Sequence, residues 1–249
     1  MYKRYFWRKY WSFMSELKLT VITSIYNAEK FIRGFMDNVM EQTILDDIQV
    51  LLLDAQSSDN TAKIIQEYNH PSLEYILLKD KLSIYETWNK GVALAKASIL
   101  TNWNTDDRRK FNSLETQLLH MENNPQCDVC YGYTAWSTIP NEKFEDNDLF
   151  NLYPCYPVTA QSMMENNSPH CMPTWRKSLH DRFGLFDLEY PTAADFDFWM
   201  RCLEGGARFD KIFEAVGLYY YNPNGLSTNS QSSNMREGAK IKEKFKHLL

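Results

Sequence analysis

The sequence lacks several patterns that define common protein classes. Neither a Gly-x-Gly-x-x-Gly fingerprint nor a phosphate-loop Lys-Ser/Thr signature occurs in its 249 residues, which removes the usual dinucleotide-binding and nucleoside-triphosphatase interpretations. No stretch approaches the roughly 18 uninterrupted apolar residues of a spanning helix, and the first residues contain no aliphatic signal-peptide core. We therefore expect a chain that neither spans a membrane nor is secreted by that route.

Cysteine and net charge are also sparse. The five cysteines are scattered and odd in number, which does not resemble a disulfide framework, so we expect reduced thiols in a cytosolic protein. Cys127 and Cys130 have the spacing of half a zinc site, but no second pair follows them, so we expect no metal there. A formal charge of −5 argues against a nucleic-acid partner.

An unusual basic and aromatic segment occupies residues 1–16. Four basic residues are interleaved with seven aromatic residues within 1–14. Aromatic rings with basic neighbours suit the membrane–water interface, which indicates peripheral contact with a membrane. The alternative is a helix that packs an aromatic stripe on the domain or on a second copy of the chain, and the stripe consists of Tyr2, Phe6, Tyr10 and Phe13.

Residues 17–108 alternate between strand and helix patterns. A chain of this length with 44% hydrophobic and 24% charged residues fits one ordinary α/β domain. Helical periodicity and apolar runs predict helices at 29–42, 61–68 and 84–95, between strands at 17–24, 48–53, 73–78 and 98–103. This alternation predicts a parallel, doubly wound sheet.

The regular alternation fades in residues 109–222. The elements predicted there are helices at 113–122, 176–182 and 194–204, strands at 129–136, 208–212 and 216–221, and an acidic loop at 141–148. Residues 222–234 are rich in Asn, Ser, Pro and Gly, which predicts a mobile loop that can serve as a lid. The rest of 223–249 predicts an amphipathic helix whose apolar face holds Ile241, Phe245, Leu248 and Leu249.

Carboxylates follow two predicted strands and open one predicted helix. Asp106 and Asp107 come after the fourth strand, Asp54 comes after the second, and Asp195 lies at the start of the helix at 194–204. Open α/β sheets bind ligands at the carboxyl ends of their strands. Asp106 is therefore a candidate ligand for Mg²⁺ or Mn²⁺ on a diphosphate, and Asp54 a candidate contact to a nucleobase or ribose. The plainer alternatives are that Asp106 and Asp107 open the next helix and that Asp54 caps the turn at Ser57.

Five motifs, taken together and in order, resemble glycosyltransferase family 2, whose members have the GT-A fold. They are Val21-Ile22-Thr23-Ser24-Ile25-Tyr26-Asn27, Leu53-Asp54-Ala55-Gln56-Ser57-Ser58-Asp59-Asn60-Thr61, Trp88-Asn89-Lys90-Gly91-Val92-Ala93-Leu94-Ala95, Trp103-Asn104-Thr105-Asp106-Asp107, and Gly184-Leu185-Phe186-Asp187 with Asp195-Phe196-Asp197-Phe198-Trp199-Met200-Arg201. The resemblance implies a Rossmann-like, mostly parallel α/β sheet flanked by helices. It further implies a nucleotide-sugar-binding half at 17–108 and an acceptor-binding, catalytic half at 109–222.

The resemblance also implies roles for single residues. Asp106 would bind Mn²⁺ or Mg²⁺, and Asp195 would be the catalytic base. The residues that would border the nucleotide are Ile25, Tyr26, Glu29 and Asp54. Further candidates beside the donor phosphates or the metal are Asn104, Asp107 and His170.

Two positions depart from the family pattern. Ala55 stands where a second acid often follows Asp54, which weakens the expected ribose or base contact. Asn104 stands where the metal motif has its first acid, and because an amide carries no charge we expect a lower metal affinity. In the late helix, Asp197 is expected to be a helix N-terminal carboxylate, and Arg201 to pair with one of the two acids.

The implied function is inverting transfer of a sugar from a nucleotide diphosphate, expected to be uridine-linked, to a hydroxyl of a glycan or lipid-linked acceptor. One rival is a nucleotidyltransferase that makes a nucleotide-sugar, but its chemistry would want a glycine-rich loop after the first strand, and residues 24–30 contain no glycine. A second rival is a non-catalytic nucleotide- or sugar-binding module, which predicts binding without turnover.

Overall fold

A computed structural model describes residues 17–229 and 231–249. The basic and aromatic segment at 1–16, with the predictions of an aromatic stripe, of membrane contact and of packing on a second copy, lies outside the described residues. Within those residues, no helix combines the length and the apolar character needed to cross a bilayer.

The described chain forms one sheet flanked by helices. Its strands are β1 (Leu19–Ile25), β2 (Ile48–Asp54), β3 (Leu73–Leu77), β4 (Ile99–Asn102), β5 (Arg108–Arg109), β6 (Val129–Ser137), β7 (Thr174–Arg176) and β8 (Phe209–Tyr220). Its α-helices are α1 (Glu29–Met40), α2 (Thr61–Ile65), α3 (Ile84–Leu94), α4 (Ser113–Asn123), α5 (Ala160–Glu165), α6 (Ser178–Phe183), α7 (Ala194–Glu204) and α8 (Asn234–Lys244).

The eight strands lie in the order β3-β2-β1-β4-β7-β6-β8-β5. β1 pairs in parallel with both β2 and β4, and β2 pairs in parallel with β3, as the sequence predicts for the first half. β7 is antiparallel to its neighbours β4 and β6, while β6 and β8 pair in parallel. Six strands therefore point the same way, and their carboxyl ends meet at one edge of the sheet.

Both faces of the sheet are covered, because successive side chains of a strand point to opposite faces. Along β2, Leu51 and Leu53 join one apolar cluster with residues of α3 and α7. Val50 and Leu52 join the other cluster with residues of α1 and α4. Strands buried on both faces read as continuous apolar runs, which is why β2 was recognisable from sequence.

Local sequence signals explain where α3 begins and how closely it packs. The Ser83 side chain and the Glu86 side chain each bond the other residue's backbone, a capping box that fixes the first turn. Gly91 faces β1, and a Cβ at this position would overlap the side chain of Ile22. The glycine thus allows α3 to lie directly on the central strand.

The structure corrects four predicted elements. The two strands predicted at 208–212 and 216–221 are one strand, β8, whose pairing with β6 is irregular around Tyr133. The helix predicted to reach Tyr68 ends at Ile65. In the last segment Ile241 and Phe245 are buried as predicted, but Leu249 is 70% exposed and does not belong to the apolar face.

Candidate active site

A cavity of about 430 Å³ opens at the carboxyl edge of the sheet. The loop after β4, the ends of β6 and β8, the loop before β7 and the start of α7 all contribute to its walls. Its lining includes Asn104, Asp106, Trp136, Tyr153, His170 and Asp195. Topology explains this convergence, since strands that run the same way deliver their following loops to one edge.

Asp106 lies in the turn after β4 and lines the cavity. Asn222 approaches its carboxylate, with 3.4 Å between the Asn222 Nδ2 and Asp106 Oδ2 atoms. Loss of hydration raises the pKa of Asp106 above its usual range. The alternative that Asp106 and Asp107 open the next helix is wrong, because the two-residue strand β5 follows them and α4 begins only at Ser113.

Asp107 is buried and binds protein groups rather than lining the cavity. Its Oδ1 accepts a hydrogen bond of 3.1 Å from the backbone N–H of Tyr220. Its Oδ2 accepts a bond of 3.1 Å from the amide nitrogen of Asn104. Burial, reinforced by the neighbouring Asp106 charge, raises the pKa of Asp107 well above its usual range. Asp107 therefore fixes the turn to β8 and orients Asn104, a role different from that of Asp106.

A buried arginine, Arg109, stabilises the chain immediately after this turn. Arg109 is fully buried and donates bonds of 2.7 Å to Gln117 Oε1 and to Thr101 Oγ1. Burial lowers the pKa of Arg109 to about 10, so its guanidinium remains charged at neutral pH. Its charge lies close enough to Asp107 to favour the ionised carboxylate, and it ties β5 to β4.

Asp195 is held by two hydrogen-bond donors from other parts of the chain. The Tyr85 hydroxyl on α3 donates to Asp195 Oδ1 over 2.7 Å, and Asn167 Nδ2 donates to Oδ2 over 2.9 Å. Loss of hydration raises the pKa of Asp195 above its usual range, while these two bonds stabilise the charged form. Both carboxylate oxygens are thereby oriented while the group still lines the cavity.

Asp197, two residues later, is completely buried and faces away from the cavity. It pairs with Arg201 and with Lys244, each over 2.7 Å between nitrogen and oxygen. The expected pairing of Arg201 with one of the two acids is therefore confirmed, and the acid is Asp197. These ion pairs join α7 to α8. Asp197 does not line the cavity, so it is not placed to act on a substrate there.

Aromatic rings form the wall that faces the carboxylates. Tyr153 stacks on His170 with 3.6 Å between ring centroids, and Trp136 stacks on Tyr153 and Tyr221 at 5.9 and 5.6 Å. His170 adopts a left-handed backbone conformation with φ of 50°, and its Nδ1 lies 3.1 Å from Thr134 Oγ1. Loss of hydration lowers the pKa of His170 to about 3, so its imidazole is neutral.

The residues expected to border the nucleotide lie beside the cavity, at the ends of β1 and β2. Asp54 is buried, and its carboxylate accepts bonds from the Ser57 N–H at 2.7 Å and the Tyr75 hydroxyl at 2.9 Å. Glu29 accepts a bond of 2.7 Å from Asn60 Nδ2, which joins the start of α1 to the loop before α2. The turn-capping alternative for Asp54 is thus present in the structure, alongside its position at the carboxyl edge.

Ile25 and Tyr26 complete this region. Ile25 is fully buried, whereas Tyr26 is 44% exposed. Lys81 lies over the Tyr26 ring and donates to its hydroxyl over 2.7 Å. The region therefore offers an exposed aromatic ring with a cation beside it, close to the cavity but separate from its lining.

The donor atoms around Asp106 suit a divalent cation. Because loss of hydration raises the pKa of Asp106, a nearby positive charge would offset the cost of keeping its carboxylate ionised. Asn104 uses its amide nitrogen to bond Asp107, which leaves its carbonyl oxygen for a cation. A neutral imidazole is the form that binds metals, and His170 lines the same cavity. Asp106, Asn104 and His170 are therefore the candidate ligands for an ion within this cavity.

Several functional contacts were missed by sequence reasoning. Tyr85 and Asn167 contact Asp195 across 110 and 28 residues of chain, so no local pattern marks them. Trp136 lines the cavity, whereas Trp103, Trp175 and Trp199 are buried in the core, and no local sequence pattern distinguishes it from them. No sequence pattern indicated that Tyr153 lines the cavity, because it lies outside the regular helices and strands.

Comparison of the sequence with known proteins gives consistent matches. The model for the family Glycosyl transferase family 2 matches residues 20–183. An uncharacterized glycosyltransferase of Methanocaldococcus jannaschii is 24% identical over 216 residues, which cover 85% of this chain and 73% of that protein. Chondroitin synthase of Escherichia coli is 34% identical over 225 residues, which cover 88% of this chain and 31% of the synthase.

Two solved structures share the fold. TarS of S. aureus in complex with UDP-GlcNAc superposes with a TM-score of 0.73 at 19% identity, covering 92% of this chain and 65% of that one. The mannosyltransferase PcManGT of Pyrobaculum calidifontis, in complex with GDP-Man and Mn²⁺, gives a TM-score of 0.64 at 17% identity, covering 84% and 58%. This chain thus spans less than two thirds of either structure.

Proposed function

The chain belongs to glycosyl transferase family 2 and is a glycosyltransferase of the GT-A fold, and on that premise we propose that it transfers a sugar, with inversion, from a nucleotide diphosphate to an acceptor hydroxyl. The single observation that carries this proposal is that Asp106 and Asp195 line the same cavity. One carboxylate lies where a cation on the leaving diphosphate would be held. The other lies where a hydroxyl could lose its proton.

Displacement at the anomeric carbon places two demands on the site. Negative charge grows on the leaving diphosphate, and the incoming hydroxyl must lose its proton. We assign Asp106, Asn104 and His170 to holding Mn²⁺ or Mg²⁺, which when bound stabilises the charge of the leaving group. Asp195 accepts the hydroxyl proton on the opposite side of the sugar, so attack and departure occur on different faces and the anomeric centre inverts.

Burial adapts Asp195 to act as the base. Loss of hydration raises the pKa of Asp195, and a carboxylate with a raised pKa accepts a proton more readily than an ordinary aspartate. Its hydrogen bonds to Tyr85 and Asn167 hold both oxygens in place before the substrate arrives. Asp195 therefore meets the geometric and the electrostatic requirement for a general base.

We assign the donor to the ends of β1 and β2 and the acceptor to the aromatic wall. A uridine diphosphate sugar is the proposed donor, supported by the UDP-GlcNAc bound to the structural neighbour TarS. Tyr26, Glu29 and Asp54 border the nucleotide in this proposal. The acceptor is a glycan or a lipid-linked glycan, because stacked rings such as Trp136 and Tyr153 suit the apolar face of a sugar.

Turnover of nucleotide-sugars by the full chain, with and without Mn²⁺, tests these roles. We expect a UDP-sugar to be consumed in the presence of Mn²⁺. Asp195→Asn should lower kcat by about 100-fold or more, the usual contribution of a general base. Asp106→Asn should lower turnover and weaken its dependence on Mn²⁺. The matched control is Asp146→Asn, an exposed acid outside the cavity, which should behave as the wild type.

The same assay separates the rival functions. Turnover that survives both substitutions would contradict the assigned roles. Release of diphosphate from a nucleoside triphosphate and a sugar phosphate would indicate a nucleotidyltransferase. Donor binding without turnover, unchanged by Asp195→Asn, would indicate a binding module.

A further inference from the structure

A second group of metal-binding side chains lies at the edge of the sheet opposite the cavity. His120 is in the last turn of α4, Cys127 precedes β6, and Asp210 is the second residue of β8. β6 and β8 run in parallel, and their carboxyl ends reach the cavity at Trp136 and Tyr219. The three side chains thus gather at the amino ends of the same two strands.

The ligand atoms of these residues are already close together. His120 Nε2 lies 3.1 Å from Asp210 Oδ2, and the Cys127 Sγ atom lies within 4.8 Å of both. Cys127 is fully buried, while the side chains of His120 and Asp210 are 29% and 37% exposed. We propose that His120, Cys127 and Asp210 form a zinc-binding site.

The donor set favours zinc over the alkaline-earth ions. Zn²⁺ binds thiolate, imidazole and carboxylate at about 2.0–2.3 Å in a tetrahedron, which separates neighbouring ligand atoms by about 3.3–3.7 Å. The histidine–aspartate distance of 3.1 Å is close to that value, and Cys127 Sγ, within 4.8 Å of both atoms, needs only a small side-chain movement to complete three corners. A water molecule can supply the fourth zinc ligand from the exposed side of the site.

Charge balance supports the same ion. On binding, the Cys127 thiol releases its proton to solvent and exchanges its hydrogen bond to the Val129 carbonyl, at 3.4 Å, for a bond to the metal. The thiolate and the Asp210 carboxylate then supply two negative charges against the two positive charges of Zn²⁺. The site is therefore neutral overall, which suits its partly buried position.

A zinc ion at this site would stabilise the fold and would take no part in the proposed sugar transfer. It joins the end of α4 and the turn before β6, which are neighbours in the chain, to the start of β8, which lies 90 residues after His120. Arg176 already bonds the Cys127 carbonyl over 2.8 Å, which holds this turn in place. The proposed partners of Cys127 are thus His120 and Asp210, and Cys130 does not belong to the site.

Cobalt substitution tests the proposal, because Co²⁺ bound to a thiolate absorbs in the near ultraviolet. The full chain carrying Asp106→Asn is stripped with a chelator and titrated with Co²⁺, so the cavity no longer contributes its main carboxylate. We expect a thiolate–cobalt band that saturates at one ion per chain and is displaced by Zn²⁺. We also expect Zn²⁺ to raise the Tm.

Single substitutions then identify the ligands. Cys127→Ser should abolish the band, and His120→Gln and Asp210→Asn should each weaken zinc affinity by about 100-fold or more. Cys202→Ser, which alters another buried thiol, is the matched control and should keep the band. His120 is partly exposed, so its variant should fold, and circular dichroism verifies this. The absence of a thiolate band in the parent, or a band that survives Cys127→Ser in folded protein, overturns the proposal.

Discussion

At the scale of single residues, the environment of Asp195 balances two opposing effects. Removal from water favours the protonated acid, whereas the bonds from Tyr85 and Asn167 favour the carboxylate. A base needs both effects, because the first makes it a better proton acceptor and the second keeps it ionised. The hydroxyl of Tyr85 is therefore a positioning group with a measurable electrostatic effect.

Tyr85→Phe should shift the acid limb of the pH–rate profile to higher pH. The change removes a donor to the charged form, so the pKa of Asp195 rises further above its ordinary value. Since the base works only when deprotonated, activity is lost as pH falls through that pKa, and the loss begins at a higher pH. We expect a shift of about one pH unit in kcat/KM.

Tyr68→Phe is the matched control, because Tyr68 also donates to a carboxylate, that of Asp37 at 2.6 Å, but lies outside the cavity. It should leave the profile unchanged. A purely structural role of Tyr85 would lower the Tm without moving the limb, and that outcome would contradict the prediction.

The two acids of the site were recognisable from sequence, whereas their partners were not. Asp106 follows a buried strand and Asp195 starts a periodic helix, so local pattern is enough to mark both. The partners of Asp195 are chosen by tertiary packing, which places Tyr85 and Asn167 beside it from distant segments. No sequence pattern indicated that Asp107 is buried and bonded to the Tyr220 N–H, because that contact depends on the position of β8.

At the scale of elements, α8 is attached to α7 by both apolar and ionic contacts. Ile241 and Phe245 enter the core cluster that contains residues of α3 and α7. Lys244 pairs with the buried Asp197, and Glu237 accepts a bond of 2.8 Å from the Thr192 N–H just before α7. The helix therefore supports the element that carries Asp195.

Asp197→Ala should destabilise the fold by about 3 kcal/mol or more, because it leaves Arg201 and Lys244 without their shared buried partner. Lys244→Met should cost only about 1 kcal/mol, since the lysine side chain is 42% exposed. Urea unfolding monitored by circular dichroism measures both free energies.

A surface ion pair next to the same helix provides the comparison. Lys246 and Glu243 are 66% and 70% exposed, so Lys246→Met should change the free energy of unfolding by less than about 0.5 kcal/mol. Equal losses for Asp197→Ala and Lys246→Met would refute the ionic attachment of α8 to α7.

Helices and strands were predicted correctly where burial produces a regular apolar pattern in the sequence. They were missed or divided where no such pattern exists. β1 to β4 are largely apolar runs between helices, so their existence and parallel direction follow from the sequence, whereas their order in the sheet does not. β8 was divided in two because the register with β6 shifts near Tyr133, and Phe213 in that stretch is 78% exposed. β5 and β7 have two and three residues, too few to form a pattern, and exist because neighbouring strands offer them partners.

At the scale of the whole molecule, the proposed ligands should stabilise the fold together. A ligand that binds only the folded state adds about 2.7 kcal/mol of stability at 100 times its Kd. UDP with Mn²⁺ should therefore raise the Tm more than the sum of the shifts from either alone. In Asp106→Asn this cooperative part of the shift should disappear.

Differential scanning fluorimetry at fixed protein concentration measures these shifts, and Asp146→Asn again serves as the unchanged control. A Tm increase with UDP that is the same with and without Mn²⁺, in both the wild type and Asp106→Asn, would show that the nucleotide binds without the ion. The role of Asp106 would then have to be reassigned.

The position of α8 in the core bears on folding during synthesis. The amino-terminal part of a chain leaves the ribosome first, and β1, β2 and β3 pair only among themselves and with β4, so this part can assemble early. The cluster around α7 gains Ile241 and Phe245 only after β8 and α8 have also been translated. A nascent chain that ends before α8 would thus carry α7 with uncovered apolar surface, and chaperone demand during translation should concentrate on that part of the chain.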